Sequence, residues 1–499
     1  MAKKSGELSP EPPSVKTISK LVWVWARMLA VRSTRWGNPL NTGTTTETKG
    51  STALVSRTMS RPSAMRLDGV AAGQRVSWVG WVSIGLISAA LSIGRLLWAN
   101  PSALITVLWA EDGAFPLCVR KVGFFSCLVD PFAGYSLFVP RVLAGITGYL
   151  PMDAWAVSTN VIAALLAGVV GALAFITVRR YGVGLLASIV IALLPAIAPI
   201  MGFESLNVIA SCYMLLLFLA TLALALPSSP VRVSWIAVLL LITALTIPSA
   251  ALLLLVILVQ AIRRKFEPRA SVVMAVALIL GLAVQLWFAV TAVKPRAVTV
   301  GWESFQSWVD AVPSAILTYW PGLNLAETQV FTNYVSRPSA WTGYLVVALI
   351  VLAGVYLCVR NNDRKFAAGL LLLAGVGYGA FPSLIGFANN RYFVVPCLLW
   401  AAALFLLLDP VLRRTSPAVL VIGLVAVLVI WWPALAVSAW RSTPAPVWSD
   451  QLALMRARCL GDPGVTERIF FTPYWPPDWG GALSEPTTTE VSCLQARKW

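Results

Sequence analysis

Apolar residues in this chain come in long unbroken runs separated by short polar or basic stretches. They do not alternate as in a half-buried strand. A helical run of roughly 20 apolar residues matches the thickness of a bilayer core. Such runs lie at about 79–98, 154–178, 183–201, 206–226, 270–290, 340–359, 366–387, 392–408 and 417–439. Two shorter runs, about 234–247 and 249–262, meet at Ile247-Pro248-Ser249. The residue before a proline leaves helical geometry. A hairpin of two short helices fits that break, and one long kinked helix is the alternative. With the hairpin, the pattern predicts an all-α, polytopic transmembrane helical bundle of about 11 spans.

The basic residues choose between the two. Arg179-Arg180, Arg232, Arg263-Arg264-Lys265, Arg360 with Arg364-Lys365, and Arg413-Arg414 sit in loops between the runs. Lys and Arg collect in cytoplasmic loops. With the N-terminus inside and a hairpin at Pro248, all of these loops are cytoplasmic. A single span over 234–262 would put Arg360 and Arg413 outside. The hairpin is therefore preferred. It leaves 99–153, 202–205, about 291–339, 389–390 and 440–499 external.

Three segments follow. Residues 1–77 are polar, basic and rich in Ser, Thr and Pro, and read as a disordered cytoplasmic tail. Within it, 21–36 mixes Trp with Arg and suits an anionic membrane surface. Met65 offers an alternative start that would remove the first 64 residues. Residues 78–439 form the transmembrane domain. Residues 440–499 form a small external C-terminal segment, polar and rich in Trp and Pro.

Composition narrows the function. Hydrophobic residues make up 58% of the chain and charged residues 12%, against roughly 25% charged in soluble domains. The net charge of +17 invites a nucleic-acid reading. The basic residues lie in the N-terminal tail and short loops, where topology explains them, so no nucleic acid is expected. There is no histidine, which removes Ser-His-Asp triads and histidine metal sites. The cysteine spacings carry no zinc pattern. Neither a metal nor a cofactor is expected. Cys118 and Cys127 fall in the first external loop, and Cys459 and Cys493 in the tail. External cysteines can pair, and Cys459–Cys493 and Cys118–Cys127 need no long-range docking. Cys212, Cys358 and Cys397 fall within spans.

Acids are scarce, 21 in 499 residues, yet Glu111 and Asp112 stand side by side after the first span. A carboxylate at a membrane surface can take a proton from a sugar hydroxyl. It can equally be a wet loop acid. Asp112 is the preferred base and Glu111 its neighbour, with the reverse assignment open. Arg120, Lys121, Arg141, Lys294, Arg296, Arg337 and Arg391 lie on the side that disfavours cations. Arg binds phosphate bidentately and stays charged. Snorkelling or pairing with acids is the plainer account of the set. Arg391 opens a span directly and is the sharpest candidate.

Four stretches carry a resemblance: Trp109-Ala110-Glu111-Asp112-Gly113, Asp130-Pro131-Phe132-Ala133-Gly134-Tyr135, Val139-Pro140-Arg141 and Asn390-Arg391-Tyr392. With one span, an acidic external loop containing flat interfacial helices, about ten further spans and a small tail, the chain resembles the GT-C superfamily of integral membrane glycosyltransferases. The architectural likeness covers about 79–439. It implies sugar transfer from a polyprenyl-phosphate carrier to a glycan, lipid or protein acceptor, in the bacterial inner (plasma) membrane. It implies a catalytic base in the first external loop, here Glu111 or Asp112. Tyr135, Arg141, Arg391 and Tyr392 are the substrate-binding candidates of these motifs. The chain departs from the family in lacking a large C-terminal sugar-binding domain and an Asp-x-Asp metal motif. A transporter or lipid flippase, or a non-catalytic assembly subunit, is the alternative reading.

Overall fold

The computed structural model describes residues 77–99, 108, 110–130, 134–197, 208–227, 233–292, 301–314, 316, 340–360, 362–384, 390–416, 423, 447–462, 466–470 and 488–493. Among the described residues, six helices are long and apolar enough to cross a membrane: Trp78–Leu97, Met152–Arg180, Pro268–Thr291, Trp341–Val359, Asp363–Leu384 and Val394–Leu412. Phe138–Thr147, Leu185–Ile197, Cys212–Ala225, Val233–Thr246 and Pro248–Ile262 form shorter apolar helices. Apart from residue 423, the expected span at 417–439 lies outside the described residues, as do residues 1–76 of the N-terminal segment.

Helix α1 (Trp78–Ala99) leads to three short helices, α2 (Ala110–Val122), α3 (Phe124–Val129) and α4 (Phe138–Thr147). The chain returns as α5 (Trp155–Arg180), turns at Gly182 into α6 (Leu185–Ile197), and continues through a 3-10 turn at Ile209–Ser211 into α7 (Cys212–Ala225). Helices α1 and α5 cross where Gly85 meets Gly168. A Cβ on Gly168 would lie 2.6 Å from the Gly85 carbonyl oxygen. Ala89 and Ala172 follow one turn on. Small residues four apart let apolar helices touch backbone to backbone, which matters where no hydrophobic drive separates helix from lipid.

The break at Pro248 is a reversal. Helix α8 (Val233–Thr246) ends at Ile247, whose backbone is extended (φ −147°, ψ 132°), and a 3-10 turn at Pro248–Leu252 starts α9 (Leu253–Ile262). The Gln260 side-chain amide donates to the Leu224 carbonyl at 2.8 Å, at the far end of α7. Thus α9 returns to the level from which α8 departs. Helix α10 (Pro268–Thr291) then packs along α8.

Helix α11 (Trp302–Ser314) is followed by α12 (Ala340–Val359), α13 (Asp363–Leu384) and α14 (Val394–Leu412). Trp308 of α11 is fully buried against Gly379 and stacks on Phe393, ring centroids 5.9 Å apart. Gly379 leaves the room that the indole fills.

The bundle has two distinct ends. At one, Asp409 is fully buried and accepts the Gly184 amide at 2.7 Å. It also pairs with Arg364 at 2.7 Å and Arg413 at 2.9 Å. Lys265 meets Asp363 at 2.7 Å, and the Arg263 guanidinium lies 3.8 Å from the Phe366 ring centroid. The loops after α5, α9, α12 and α14 therefore share one basic face.

The opposite face carries α2–α4, the turns before α7 and α9, and the tail helix α15 (Trp448–Gly461). Its disulfides are Cys118–Cys127, Cα atoms 5.7 Å apart, and Cys459–Cys493, Cα atoms 5.0 Å apart. The all-helical expectation needs one amendment here. Strands β1 (Thr466–Phe470) and β2 (Thr488–Ser492) form an antiparallel pair, with Thr466 opposite Ser492 and Arg468 opposite Glu490. A two-stranded pair alone is marginal in water. The Cys493 disulfide, one residue past β2, joins it to α15. The tail docks on the start of α5. Trp448 stacks on Trp155 at 6.0 Å and donates its indole N–H to the Met152 carbonyl at 2.9 Å. Arg456 pairs with Asp153 at 2.7 Å, a hydrogen bond that raises the guanidinium pKa.

Candidate functional site

The acidic pair lies in the first turn of α2. Asp112 is 1% exposed, and its Oδ2 accepts the backbone N–H of Ile209 at 2.8 Å. Ile209 opens the 3-10 turn that feeds α7, the most deeply buried apolar helix of the bundle. The first amides of a helix have no partner within it, and the helix N-terminus favours negative charge. A buried carboxylate here satisfies an orphan amide that no backbone carbonyl of its own helix reaches.

One turn beyond Asp112, Phe115 lies beneath Arg141. The guanidinium sits 5.3 Å from the ring centroid and also donates to the Cys127 carbonyl. Burial lowers the Arg141 pKa to about 10, and the charges of Asp130 and Tyr135 pull it back up. It remains a cation at neutral pH. Tyr135 packs on the cluster formed by Phe115, Leu137, Ala144, Ala163 and Ile209. Asp112, Tyr135 and Arg141 thus meet in one layer made by α2, α4 and the start of α7.

Polar side chains from the bundle fasten that layer. The Ser136 amide donates to Gln285 Oε1 at 3.0 Å, and Gln285 Nε2 donates to the Ala244 carbonyl at 3.0 Å. Arg120 donates to the Leu150 carbonyl at 2.7 Å. Neither Gln285 nor the Ile209 amide figured among the sequence candidates. Gln285 had a readable signal: an amide side chain inside an apolar run needs a partner there. The Ile209 amide had none, since any helix start offers one.

A base needs room for the acceptor beside it, and the arrangement at Asp112 is closed. A narrow cleft adjoins the first turn of α7, between Ser92, Ala167, Pro195, Val208, Ser211 and Cys212, with room for about one water molecule. The Glu111 side chain lies outside the described residues. Arg391 lies in the 3-10 turn Asn390–Phe393 that opens α14, on the same end of the bundle as Asp112. Its side chain is also outside the described residues. Tyr392 beside it is half-buried. Phe393 ties that turn to Trp308 rather than to the Asp112 layer. Arg141 is spent on internal contacts, with Cys127 and Phe115, and sits in the wall of the layer. Among the described residues, no group of three or more His, Cys, Asp or Glu is placed to hold a metal ion.

This face therefore presents a buried carboxylate that accepts a helix-start amide, a buried guanidinium from α4 over the Phe115 ring, and two further cations, Arg120 and Lys121, on α2. The chain matches no family model and no curated relative.

Proposed function

We propose that this chain is an inverting membrane glycosyltransferase of GT-C type, with Asp112 as its base. The observation that supports this most is the buried Asp112 carboxylate on the Ile209 amide, in the short-helix layer that follows the first span. A purely solvated acid has no reason to be buried there. The order of elements supports the reading: among the described residues, one long apolar helix and three short helices are followed by five further long apolar helices and the shorter helices α6–α9, and the run expected from sequence at 417–439 would bring the further spans to about ten.

The basic face is assigned to the cytoplasm, where Lys and Arg collect, and the disulfide face to the oxidising exterior. The compartment is the bacterial inner membrane. The donor is a polyprenyl-phosphate sugar, and the acceptor a glycan, lipid or protein of the envelope. Asp112 takes the proton of the acceptor hydroxyl. The hydroxyl oxygen attacks the anomeric carbon as the bond to the phosphate oxygen breaks, and the electron pair leaves with the lipid phosphate. Arg391, on the same face, neutralises that phosphate. Glu111, the preceding residue in the chain, orients the acceptor.

A transporter would place ionisable groups near the middle of its spans. Among the described residues, the buried acidic and basic side chains of the long helices lie near their ends: Arg95 in α1 and Asp409 in the last turn of α14. That favours transfer over transport. The test is mass spectrometry of lipid-linked sugars and envelope glycans in a strain lacking the gene. Loss of one sugar from the envelope, with its polyprenyl-phosphate donor accumulating, supports transfer. An unchanged glycan profile with a lipid precursor trapped on the cytoplasmic side contradicts it.

A further inference from the structure

The tail helix α15 carries Trp448, Leu452, Met455 and Cys459 on one face, at intervals of four, three and four residues. All four are buried, although the helix as a whole is polar. The core they join also contains Leu108, Leu117 and Val208. These three residues bracket the Asp112–Ile209 hydrogen bond. Leu108 lies four residues before Asp112, Leu117 lies five residues after it on α2, and Val208 directly precedes Ile209. The tail thus shares one buried cluster with both segments of chain that the Asp112 carboxylate joins.

The docking is specific. Trp448 is 2% exposed, stacked on Trp155 with planes 17° apart, and its indole N–H reaches the Met152 carbonyl. Trp155 in turn donates its own indole N–H to the Leu150 carbonyl at 3.0 Å. Arg456 adds the pair with Asp153, both side chains 57% exposed. An exposed pair contributes little energy and chiefly sets register. Cys459, at the end of the buried stripe, is bonded to Cys493, so the strand pair is covalently closed onto the helix that docks.

We infer that the C-terminal segment is a positioning brace for the candidate site, with Trp448 as its principal positioning residue: it holds Val208 and α2 together so that Asp112 meets the Ile209 amide. The segment contributes no reacting group. Its catalytic relevance rests on the proposed base role of Asp112; the brace itself does not.

Hydrogen exchange of the full-length protein in lipid nanodiscs tests this. The Ile209 amide is protected by Asp112, so its exchange reports opening of that bond. Trp448→Ala is expected to raise exchange at 209 about tenfold or more, leaving α13 and α14 unchanged. Trp448→Phe, which keeps the ring stack, is expected to restore most of the protection. The double variant Cys459→Ser, Cys493→Ser, which leaves Trp448 in place, is expected to give a smaller rise at the same amide. It carries the test if Trp448→Ala fails to insert. Unchanged protection at 209 in a variant whose tail has become protease-sensitive overturns the inference. A rise spread evenly over the bundle also overturns it, because that reports general destabilisation. In the transfer assay, Trp448→Ala is expected to lower kcat with the donor KM little changed. Increased exchange at 209 in a protein that transfers no sugar would keep the brace and remove the glycosyltransferase reading.

Discussion

Asp112 and Ile209 are 97 residues apart in sequence and 2.8 Å apart in space, carboxylate oxygen to amide nitrogen. That contact gives Asp112 a structural task beside its proposed chemical one, and side-chain chemistry separates the two. Asn keeps an oxygen that accepts the amide. Ala does not. Asp112→Ala is expected to destabilise the protein by about 1–3 kcal/mol, the cost of a buried amide left without its partner. Asp112→Asn is expected to cost less than half of that. Thermal unfolding of the two variants in the same detergent checks the order.

Trp308 and Gly379 give a second prediction. A Cβ on Gly379 would lie 2.3 Å from the indole ring, which is fully buried and stacked on Phe393, so it has nowhere to swing. Gly379→Ala is expected to cost about 1–3 kcal/mol by overpacking. Gly94 meets no atom within 4 Å at the same modification. Gly94→Ala should be neutral or slightly stabilising, since Gly in a helix is worse than Ala by roughly 0.5–1 kcal/mol. Equal melting temperatures for the two variants would contradict the packing account.

Asp409 is the polar centre of the basic face. Asn at 409 keeps an oxygen for the Gly184 amide but takes the carboxylate from Arg364 and Arg413, both of which also donate to the Gly182 carbonyl. Both arginines are partly exposed, so the cost falls below that of a fully buried pair. Asp409→Asn is expected to lower stability by about 1–3 kcal/mol, while Asp363→Asn, at a more exposed pair, should change it by less than about 1 kcal/mol. Chemical denaturation in mixed micelles measures both.

The hairpin at Pro248 predicts labelling. Cysteines placed at Lys265 and Thr415 should react with an impermeant maleimide from the same side of the membrane. Cysteines at Asp153 and Ser449 should react only from the other. Lys265 and Thr415 labelling from opposite sides would contradict the reversal and the shared basic face.

How much of this was legible beforehand follows from what each feature depends on. The spans, the Pro248 break and the basic loops depend on local hydropathy and charge, and the chain states those openly. The disulfide pairs were readable because few cysteines lie outside the apolar runs and each pair falls within one segment. The strand pair in the tail was not expected: five-residue strands such as Thr466–Phe470 and Thr488–Ser492 show little periodicity, and the Cys459–Cys493 link supports them. At the site, the motifs drew attention to Asp112, Tyr135 and Arg141, which do share a layer. What they did not carry was direction. Arg141 turns inward to the Cys127 carbonyl and the Phe115 ring, a choice set by packing of α2 against α4 and invisible along the chain. The Ile209 partner of Asp112 was hidden for the same reason.

The most direct measurement of the central claim is sugar transfer by the full-length protein in which Asp112 is replaced by Asn, with Glu111→Gln and the double variant beside it, complemented into a strain lacking the gene. The readout is the envelope glycan and its polyprenyl-phosphate donor, quantified by mass spectrometry. Removal of a general base costs about 10²–10⁴-fold in rate. Asp112→Asn is therefore expected to accumulate donor and lose the product sugar at normal membrane abundance, and the double variant to do no better. Full glycan levels in the Asp112→Asn, Glu111→Gln protein would contradict the account, leaving Asp112 as the cap of a helix and nothing more.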